Sequence, residues 1–334
     1  MAFVLGVDAG GTKTVAVIAD ERGEVHAVGR AGSANFQDCG TAGAASQIRL
    51  AVQRAAQAGV DLDGLEAACY GVSGADRPKD FETVRAFVEP IARCPRLRLE
   101  NDTLIALRAG TPDGVGLALV AGTGSNAIGR NAEGVTLQVG GLGSLSGDFG
   151  SASQLGKAAV VAAIQAEDGR GEPSSLGQRI CERLDLERVE DIIELAFYDH
   201  RGPRLPLGAL APLVFEAAAE GDRAALGILT QAGREVARAA RVILDKLFAD
   251  ADRVVVVFGG SVFQRGACAH LVETIQRELL AHRPETRFVI LGDEPVLGAV
   301  QFALDDLLGK ERAAGLFPVL RSSYLRLGAE GDGR

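Results

Sequence analysis

Residues 4–14 read VLGVDAGGTKT, a short apolar run followed by one acid, two glycines and a Thr-Lys-Thr segment. Alternating apolar residues predict strands at about 2–8 and 14–20, which places the glycines in a turn between two strands. Glycine permits positive φ and lets backbone N–H groups approach a ligand closely. An acid at this turn, Asp8, would repel a phosphate unless a divalent cation lay between them. The stretch therefore predicts either a cation-assisted phosphate site or an ordinary hairpin with a solvated carboxylate.

The composition is that of an acidic globular protein. The chain has 334 residues and a net charge of −9. This length favours two domains, because single cores rarely exceed about 250–300 residues, and the acidic balance argues against a nucleic-acid surface. No apolar run approaches the ~18 residues of a membrane span, so we expect no membrane helix, no signal peptide and a cytoplasmic protein. The five cysteines and four histidines are dispersed, which favours reduced thiols over a metal site.

The same order of elements, β-β-β-α-β-α-β-α, is predicted twice. The first copy has strands at about 2–8, 14–20, 24–30, 67–72 and 96–100, and helices at about 41–58 (ending near Gly59), 80–91 and from 103. The second copy has the strands GLALVAG, NAIGR, VTLQV, RVVVVF and RFVIL, and helices near Ser151, at about 266–281 and from Val296. We expect an α/β protein with lobes of about 1–114 and 115–311. A helical insertion is predicted at about 170–250, and a tail at about 312–330 is predicted to pack on the first lobe.

A second glycine turn, Ala121-Gly122-Thr123-Gly124-Ser125-Asn126, follows the first strand of the second copy. Its spacing fits a relaxed dinucleotide fingerprint, but that motif requires a helix at the turn, and here a further strand follows. A phosphate-binding turn with hydroxyl groups from Thr123 and Ser125 is the better interpretation. The first turn likewise lacks the GxxxxGK[ST] spacing of a Walker A loop. If the copies face each other, the two turns meet across a cleft, where small-molecule sites commonly lie.

An acid also lies where a predicted strand meets a helix, in Leu99-Glu100-Asn101-Asp102-Thr103. The carboxyl ends of strands commonly present reacting groups in α/β folds, and a helix N-terminus favours the ionised form of an acid. Asp102 could therefore accept the proton of a substrate hydroxyl during phosphoryl transfer. The structural alternative is that Asp102 is the N-cap of the helix.

Three further polar or glycine-rich turns follow strands or precede a helix: residues 71–76 (GVSGAD), 147–151 (GDFGS) and 258–262 (FGGSV). The glycines of the last segment would let a flat ring lie against the backbone. Each of these segments alone is typical of an ordinary turn.

Taken in order, GVDAGGTKT, AGSANFQDCG, GVSGADR, END, AGTGSNAIG, GGLGSLSGDFGSA, FGGSV and EPVLGA resemble the ATPase fold of sugar kinases, actin and heat-shock chaperones. The chain is more closely similar to the BadF/BadG/BcrA/BcrD-type family, which includes N-acetylglucosamine kinase. This resemblance covers about residues 4–305. It implies two duplicated ribonuclease-H-like lobes with a cleft between them, and ATP and Mg²⁺ as cofactors.

The resemblance also implies roles for individual residues. Asp8 would lie on the magnesium side and Asp102 would be the catalytic base. The implied ATP contacts are Gly10, Gly11, Thr12 and Lys13, then Gly122, Thr123, Gly124 and Ser125, and, at the adenosine, Gly259, Gly260 and Ser261. The implied sugar contacts are Asn35, Ser73, Gly74, Asn101, Asp102 and Asp148.

The expected function is ATP-dependent phosphorylation of a sugar hydroxyl, most simply O6 of N-acetylglucosamine or glucosamine, by a homodimer. In place of the GDEGS expected of a kinase the chain reads GDFGS, so Phe149 leaves the identity of the sugar open. One alternative is a nucleotide-driven switch that acts on a partner protein. The activator branch of the family holds an iron–sulfur cluster through cysteines, and this chain has no matching set. Another alternative is a sugar-sensing module without catalysis, which would not need both acids and both glycine turns.

Overall fold

The computed structural model describes residues 1–57, 59–195, 207–266 and 268–331. Two five-stranded sheets organise this part of the chain. The strands of the first sheet are β1 Phe3–Ala9, β2 Thr14–Asp20, β3 Val25–Ala31, β4 Leu65–Val72 and β5 Arg96–Asn101. Those of the second are β6 Gly116–Ala121, β7 Ser125–Arg130, β8 Thr136–Val139, β9 Val255–Gly259 and β10 Arg287–Ile290. The first sheet has the order β3-β2-β1-β4-β5, and the second, read in the matching direction, has the order β8-β7-β6-β9-β10. The two sheets therefore correspond strand for strand, which confirms the predicted duplicated α/β fold.

Strand direction brings the predicted functional segments to one edge of each sheet. In the first sheet β1 is antiparallel to β2 and parallel to β4, and β4 is parallel to β5. The β1–β2 hairpin and the carboxyl ends of β4 and β5 therefore lie along the same edge. In the second sheet β6 is likewise antiparallel to β7 and parallel to β9. The β6–β7 hairpin accordingly adjoins the carboxyl end of β9.

Helices cover the sheets and fill the space between them. They are α1 Phe36–Ala56, α2 Pro78–Val88, α3 Asp102–Gly110, α4 Ala152–Glu167, α5 Leu176–Leu184, α6 Ala211–Ala219, α7 Arg223–Leu247, α8 Ser261–Arg265, α9 His270–His282, α10 Val296–Leu308, α11 Lys310–Ala314 and α12 Phe317–Gly331. Of these described helices, none has both the length and the apolar character needed to cross a membrane.

Helix α10 follows the second sheet but packs on the first, although it lies inside the range predicted for the second lobe. Glycines permit this close packing. A Cβ atom at Gly298 would lie 1.9 Å from the carbonyl oxygen of Ile105 on α3, and one at Gly6 would lie 2.5 Å from Val300. Helix α12, in the predicted tail, packs against β3.

Several predicted boundaries differ from the observed ones. Helix α1 begins at Phe36, five residues before the predicted start, because Asn35 caps it; the prediction missed this turn since Gly40 interrupts the helix with a φ of 71°. The helix predicted at 266–281 is instead α9, preceded by the short helix α8. Residues 58, 196–206 and 267, which fall within three predicted elements, lie outside the described residues.

A buried ion pair joins α3 to α10. Arg108 Nε and Nη2 donate to the two carboxylate oxygens of Asp305 at 2.9 and 3.0 Å. The two side chains are only 2% and 3% exposed. Arg108 Nη1 also donates to the carbonyl oxygen of Thr111. Each charge therefore depends on the other, because water cannot replace a lost partner at this depth.

We predict that Asp305→Asn lowers the free energy of unfolding by about 3–5 kcal/mol, because it leaves the buried guanidinium without a counter-charge. Urea denaturation followed by circular dichroism measures the change. The matched control is Asp168→Asn, which removes the partner of the largely exposed Arg170 and should cost less than about 1 kcal/mol. Equal losses in the two variants would contradict the buried pair's role.

Candidate active site

The first glycine turn holds a buried acid beside an open loop. Asp8, at the end of β1, is 8% exposed. The turn closes where Gly10 N–H donates to the carbonyl oxygen of Lys13 at 3.0 Å. Thr12 and Lys13 are exposed, and the Lys13 ammonium lies 3.2 Å from a carboxylate oxygen of Glu294. The turn thus presents backbone N–H groups, a hydroxyl and a cation next to a buried carboxylate.

The second glycine turn faces the first. Thr123 Oγ1 lies 3.3 Å from Thr12 Oγ1, so the two turns meet across the cleft. Gly122 N–H donates to the carbonyl oxygen of Gly124 at 2.8 Å and closes this turn. The carbonyl oxygen of Gly122 accepts from Ala152 N–H at 2.8 Å, which places the N-terminus of α4 beside the turn. The positive end of a helix dipole favours bound anions at such a position.

The third predicted nucleotide segment adjoins the second turn. Gly260 has a φ of 90°, and a Cβ atom there would lie 2.3 Å from the carbonyl oxygen of Ala121, so only glycine fits. Ser261, the first residue of α8, has its hydroxyl 3.9 Å from the position of a Cβ built on Gly122. The structure therefore brings all three segments predicted to contact ATP into one region.

Asp102 is the first residue of α3, and its neighbour Asn101 is the N-cap. The Asn101 side-chain oxygen accepts from Thr103 N–H at 2.8 Å. The alternative in which Asp102 itself caps the helix is therefore wrong, and its carboxylate is free for another role. Its Oδ1 accepts from Thr103 Oγ1 at 3.5 Å, and the Ser73 side chain lowers its pKa.

Burial and a neighbouring negative charge raise the pKa of both acids. Burial, and then the negative charge of Asp102, raise the pKa of Asp8 to about 7, while Lys13 opposes the shift. Burial, and then the negative charge of Asp76, raise the pKa of Asp102 to about 6, while hydrogen bonds from Ser73 and Thr103 oppose it. A carboxylate with a pKa near the operating pH suits general base catalysis.

Three residues predicted to contact the sugar lie close together. Asn35 caps α1, and its side-chain oxygen accepts from Gln37 N–H at 3.1 Å. The Gln37 side-chain amide donates to the carbonyl oxygen of Gly74 at 3.2 Å. A Cβ atom at Gly74, which has a φ of 82°, would lie 3.1 Å from Asn35 Oδ1. Ser73 N–H donates to the carbonyl oxygen of Ala9, next to Asp8.

Asp148, the remaining predicted sugar contact, lies in the second lobe. Its carboxylate accepts from the Ser146 hydroxyl at 2.6 Å. It also packs on Gly140, where a Cβ atom would lie 2.3 Å from Asp148 Oδ1. The structure thus places the predicted sugar contacts on both lobes, with Asn101 and Ser73 next to Asp102.

Comparison with known proteins agrees with this geometry. The model of the BadF/BadG/BcrA/BcrD ATPase family matches residues 5–303. The chain belongs to this family. The predicted resemblance is therefore confirmed.

Two curated relatives of this family member match over nearly their whole length. The N-acetyl-D-glucosamine kinase of Dictyostelium discoideum is 29% identical and covers 90% of this chain and 97% of its own. The N-acetylmuramic acid/N-acetylglucosamine kinase of Clostridium acetobutylicum is 28% identical, over 91% of this chain and 98% of its own.

Solved structures share the fold at lower identity. A Chromobacterium violaceum protein superposes with a TM-score of 0.73 at 23% identity, covering 91% of this chain and 99% of its own. A ROK family glucokinase from Streptomyces griseus, solved with glucose and AMPPNP, superposes with a TM-score of 0.58 at 19% identity. The match covers 90% of this chain and 99% of the glucokinase.

Phe149, the departure from the kinase pattern, forms part of an apolar wall in this BadF-type ATPase. It packs against the core of the second lobe. Together with Val139, Val236 and Phe263 it lines a cavity of about 230 Å³ that Asp148 also borders. Glu235 and Arg238 line the same cavity, so Asp148 borders a wall that is mostly apolar but also carries charged groups.

Sequence reasoning missed several polar side chains that surround the predicted site residues, among them Gln37 and Ser146 described above. Asp76 contacts Asn101, and Glu294 contacts Lys13, and both lie in segments that carried the family resemblance. Asn126 and Gln138 reach the site from the second lobe. Asn126 is the last residue of the second glycine turn, whereas nothing in the sequence around Gln138 indicates a site.

We predict that Asp8→Asn raises the melting temperature of the ligand-free protein at about pH 8, because it removes a buried charge that repels Asp102. The folded-state pKa of Asp8, about 7, lies above its usual 3.8, so the folded wild type takes up a proton as the pH falls. The wild type therefore gains stability relative to the variant as the pH falls through about 7, and the difference should vanish near about pH 4.

Differential scanning fluorimetry across this pH range measures the effect. Asp63→Asn, which changes an exposed acid far from the cleft, is the control and should track the wild type. A pH-independent difference between Asp8→Asn and the wild type would contradict the assigned cause.

Proposed function

We propose that this chain is an ATP-dependent kinase that phosphorylates an amino sugar, N-acetylglucosamine or glucosamine. The observation that carries the proposal is the pair of glycine turns from opposite lobes, 3.3 Å apart at Thr12 and Thr123, with Asp102 at a neighbouring strand end. Membership of the BadF/BadG/BcrA/BcrD family and the sugar kinases among its relatives support the same reaction.

In this proposal the two turns bind the triphosphate. Backbone N–H groups of Gly10 to Lys13 and of Gly122 to Ser125 would donate to phosphate oxygens, aided by the N-terminus of α4. Gly259, Gly260 and Ser261 would contact the adenosine.

Asp8 fits a magnesium site that is completed by the nucleotide. The described residues contain no group of three His, Cys, Asp or Glu side chains that could hold a metal ion. Mg²⁺, however, commonly binds through one or two carboxylates together with substrate phosphates and waters. The buried carboxylate of Asp8, destabilised by Asp102, is a favourable ligand for such a cation. When bound, the ion would neutralise charge on the transferring phosphoryl group.

Asp102 would act as the general base. Its carboxylate would accept the proton of the sugar hydroxyl, which we propose to be O6, as that oxygen attacks the γ-phosphorus. The bond from the γ-phosphorus to the bridging oxygen then breaks, ADP leaves, and the proton stays on Asp102 until product release. Asn35, Ser73, Gly74, Asn101 and Asp148 would orient the sugar.

The closed cleft would exclude water and limit wasteful hydrolysis of ATP. A cytoplasmic homodimer is the assembly that the family likeness favours, and sedimentation velocity would test it.

We predict that Asp102→Asn lowers kcat by about 10²–10⁴-fold, since an amide cannot take up the hydroxyl proton. Sugar affinity should change by no more than a few-fold, because the amide keeps its hydrogen-bonding atoms. A coupled ADP-release assay over a panel of hexoses, with and without sugar, measures the effect. Asp63→Asn is the control. If no sugar stimulates ADP release by the wild type, the result would instead support the nucleotide-driven switch. An Asp102→Asn variant with wild-type kcat would show that Asp102 is not the catalytic base.

We predict that kcat/KM for the sugar falls as the pH drops through the region of about 6 to about 7. The active form requires both acids ionised, and their folded-state pKa values are about 6 for Asp102 and about 7 for Asp8. Because the two charges interact, the apparent pKa on the acid side of the pH profile belongs to the pair of acids and not to either residue alone. Initial rates with ATP, Mg²⁺ and sugar all sub-saturating, from about pH 5 to about pH 9, test this, because the free enzyme must then ionise Asp8 before it binds the cation. A flat profile down to about pH 5 would contradict it.

A further inference from the structure

A third acid, Asp76, lies between the two lobes and contacts the residue that precedes Asp102. It follows β4 in the segment GVSGAD and is partly buried. One of its carboxylate oxygens, Oδ1, accepts two hydrogen bonds. The first comes from the Asn101 side chain at 2.9 Å, and the second comes from the Gln138 side chain on β8 at 3.0 Å. One carboxylate thus binds a residue of each lobe.

The bond to Asn101 fixes the start of α3. With its side-chain NH₂ held by Asp76 and by the carbonyl oxygen of Ala75, Asn101 must direct its side-chain oxygen toward Thr103 N–H. This orientation makes Asn101 the helix cap, and Asp102 is the next residue. A change at Asp76 is therefore transmitted to the position of the Asp102 carboxylate through one side chain.

The bond to Gln138 is one of two that cross the cleft at this point. Asn126, on β7, donates from its side chain to Asn101 Oδ1 at 3.3 Å. The chain Gln138–Asp76–Asn101–Asn126 therefore begins and ends in the second lobe and passes through the first. Gly141 packs on both ends of this chain: a Cβ atom there would lie 2.4 Å from Asn126 Oδ1 and 2.5 Å from Gln138 Nε2.

We propose that Asp76 is a positioning residue for phosphoryl transfer, which ties the helix start that carries Asp102 to the second lobe through Gln138. This role rests on the proposed kinase function and adds to it a specific link between closure of the lobes and placement of the base. The link is charge-assisted, and such hydrogen bonds are roughly twice as strong as neutral ones. The negative charge of Asp76 also raises the pKa of Asp102, which strengthens the base that it positions.

The contact can be tested by exchanging the two partners. Gln138→Glu places a second carboxylate against Asp76, and the repulsion should push the lobes apart at this point. In the double variant Asp76→Asn/Gln138→Glu, the amide introduced at position 76 can donate to the carboxylate introduced at position 138. Its carbonyl oxygen still accepts from Asn101. The double variant should therefore recover much of what Gln138→Glu loses.

The expected kinetic result is a loss confined to the sugar-dependent step. Gln138→Glu should lower kcat by up to about 100-fold, the order expected of a displacement of about 1 Å at a catalytic group. The KM for ATP should stay near that of the wild type, because the glycine turns are unchanged. The double variant should regain at least about tenfold of this loss, since one restored hydrogen bond of ~1.4 kcal/mol corresponds to a factor of ten. Asp63→Asn is the control and should match the wild type.

Two outcomes overturn the proposal: a Gln138→Glu variant with wild-type kcat, or a double variant no better than Gln138→Glu alone. If the wild type shows no sugar-stimulated ADP release, the proposed function fails and the positioning role fails with it. Urea unfolding of the wild type, Asp76→Asn, Gln138→Glu and the double variant separates the cases, because this cycle gives the Asp76–Gln138 coupling energy without any assay of activity. Coupling without kinetic rescue would leave the contact purely structural and would refute the positioning role.

Discussion

Repulsion between two carboxylates at one sheet edge is the constraint on which the rest of the site depends. The parallel arrangement of β1, β4 and β5 brings Asp8 and Asp102 to one edge, where Asp8 is buried and Asp102 is partly buried. Burying a charge without a partner is costly, and only Lys13 among the groups acting on Asp8 offsets it. The ligand-free fold therefore holds unfavourable charge at this edge, and binding of a cation with its phosphates would relieve it.

The two duplicated glycine turns differ in the charge of the residues that precede them. The first turn follows Asp8-Ala9, whereas the second follows Val120-Ala121 at the equivalent place on β6. Both turns expose N–H groups, but the second turn lies beside the N-terminus of α4 instead of an acid. One lobe can thus hold a cation and the other an anion, which matches the two ends of a magnesium–triphosphate unit.

Most of the fold follows from local patterns, and most of the interlobe contacts do not. Strand alternation and glycine turns predicted both sheets, because these features depend on neighbours in sequence. The early start of α1 was missed because Gly40 breaks the periodicity, although Asn35 still caps the first turn. The contact between Asp76 and Gln138 spans 62 residues, and neither residue belongs to a motif that would reveal the pairing. Burial and lobe orientation decide such contacts, and a single sequence contains neither.

The replacement of an acid by Phe149 has a structural explanation that bears on sugar recognition. Position 149 faces an apolar wall that includes Val236 and Phe263. The loop is pressed onto α7, since a Cβ atom at Gly150 would lie 2.9 Å from Val236. Phe149 fits the apolar part of this wall, whereas a carboxylate at this partly buried position would need a partner such as Arg238, which lines the same cavity. In the proposed kinase, Asp148 would therefore be the acid of this segment that binds a hydroxyl or an amide. Selectivity among amino sugars at this end of the cleft would then depend on one carboxylate and the apolar surface behind it.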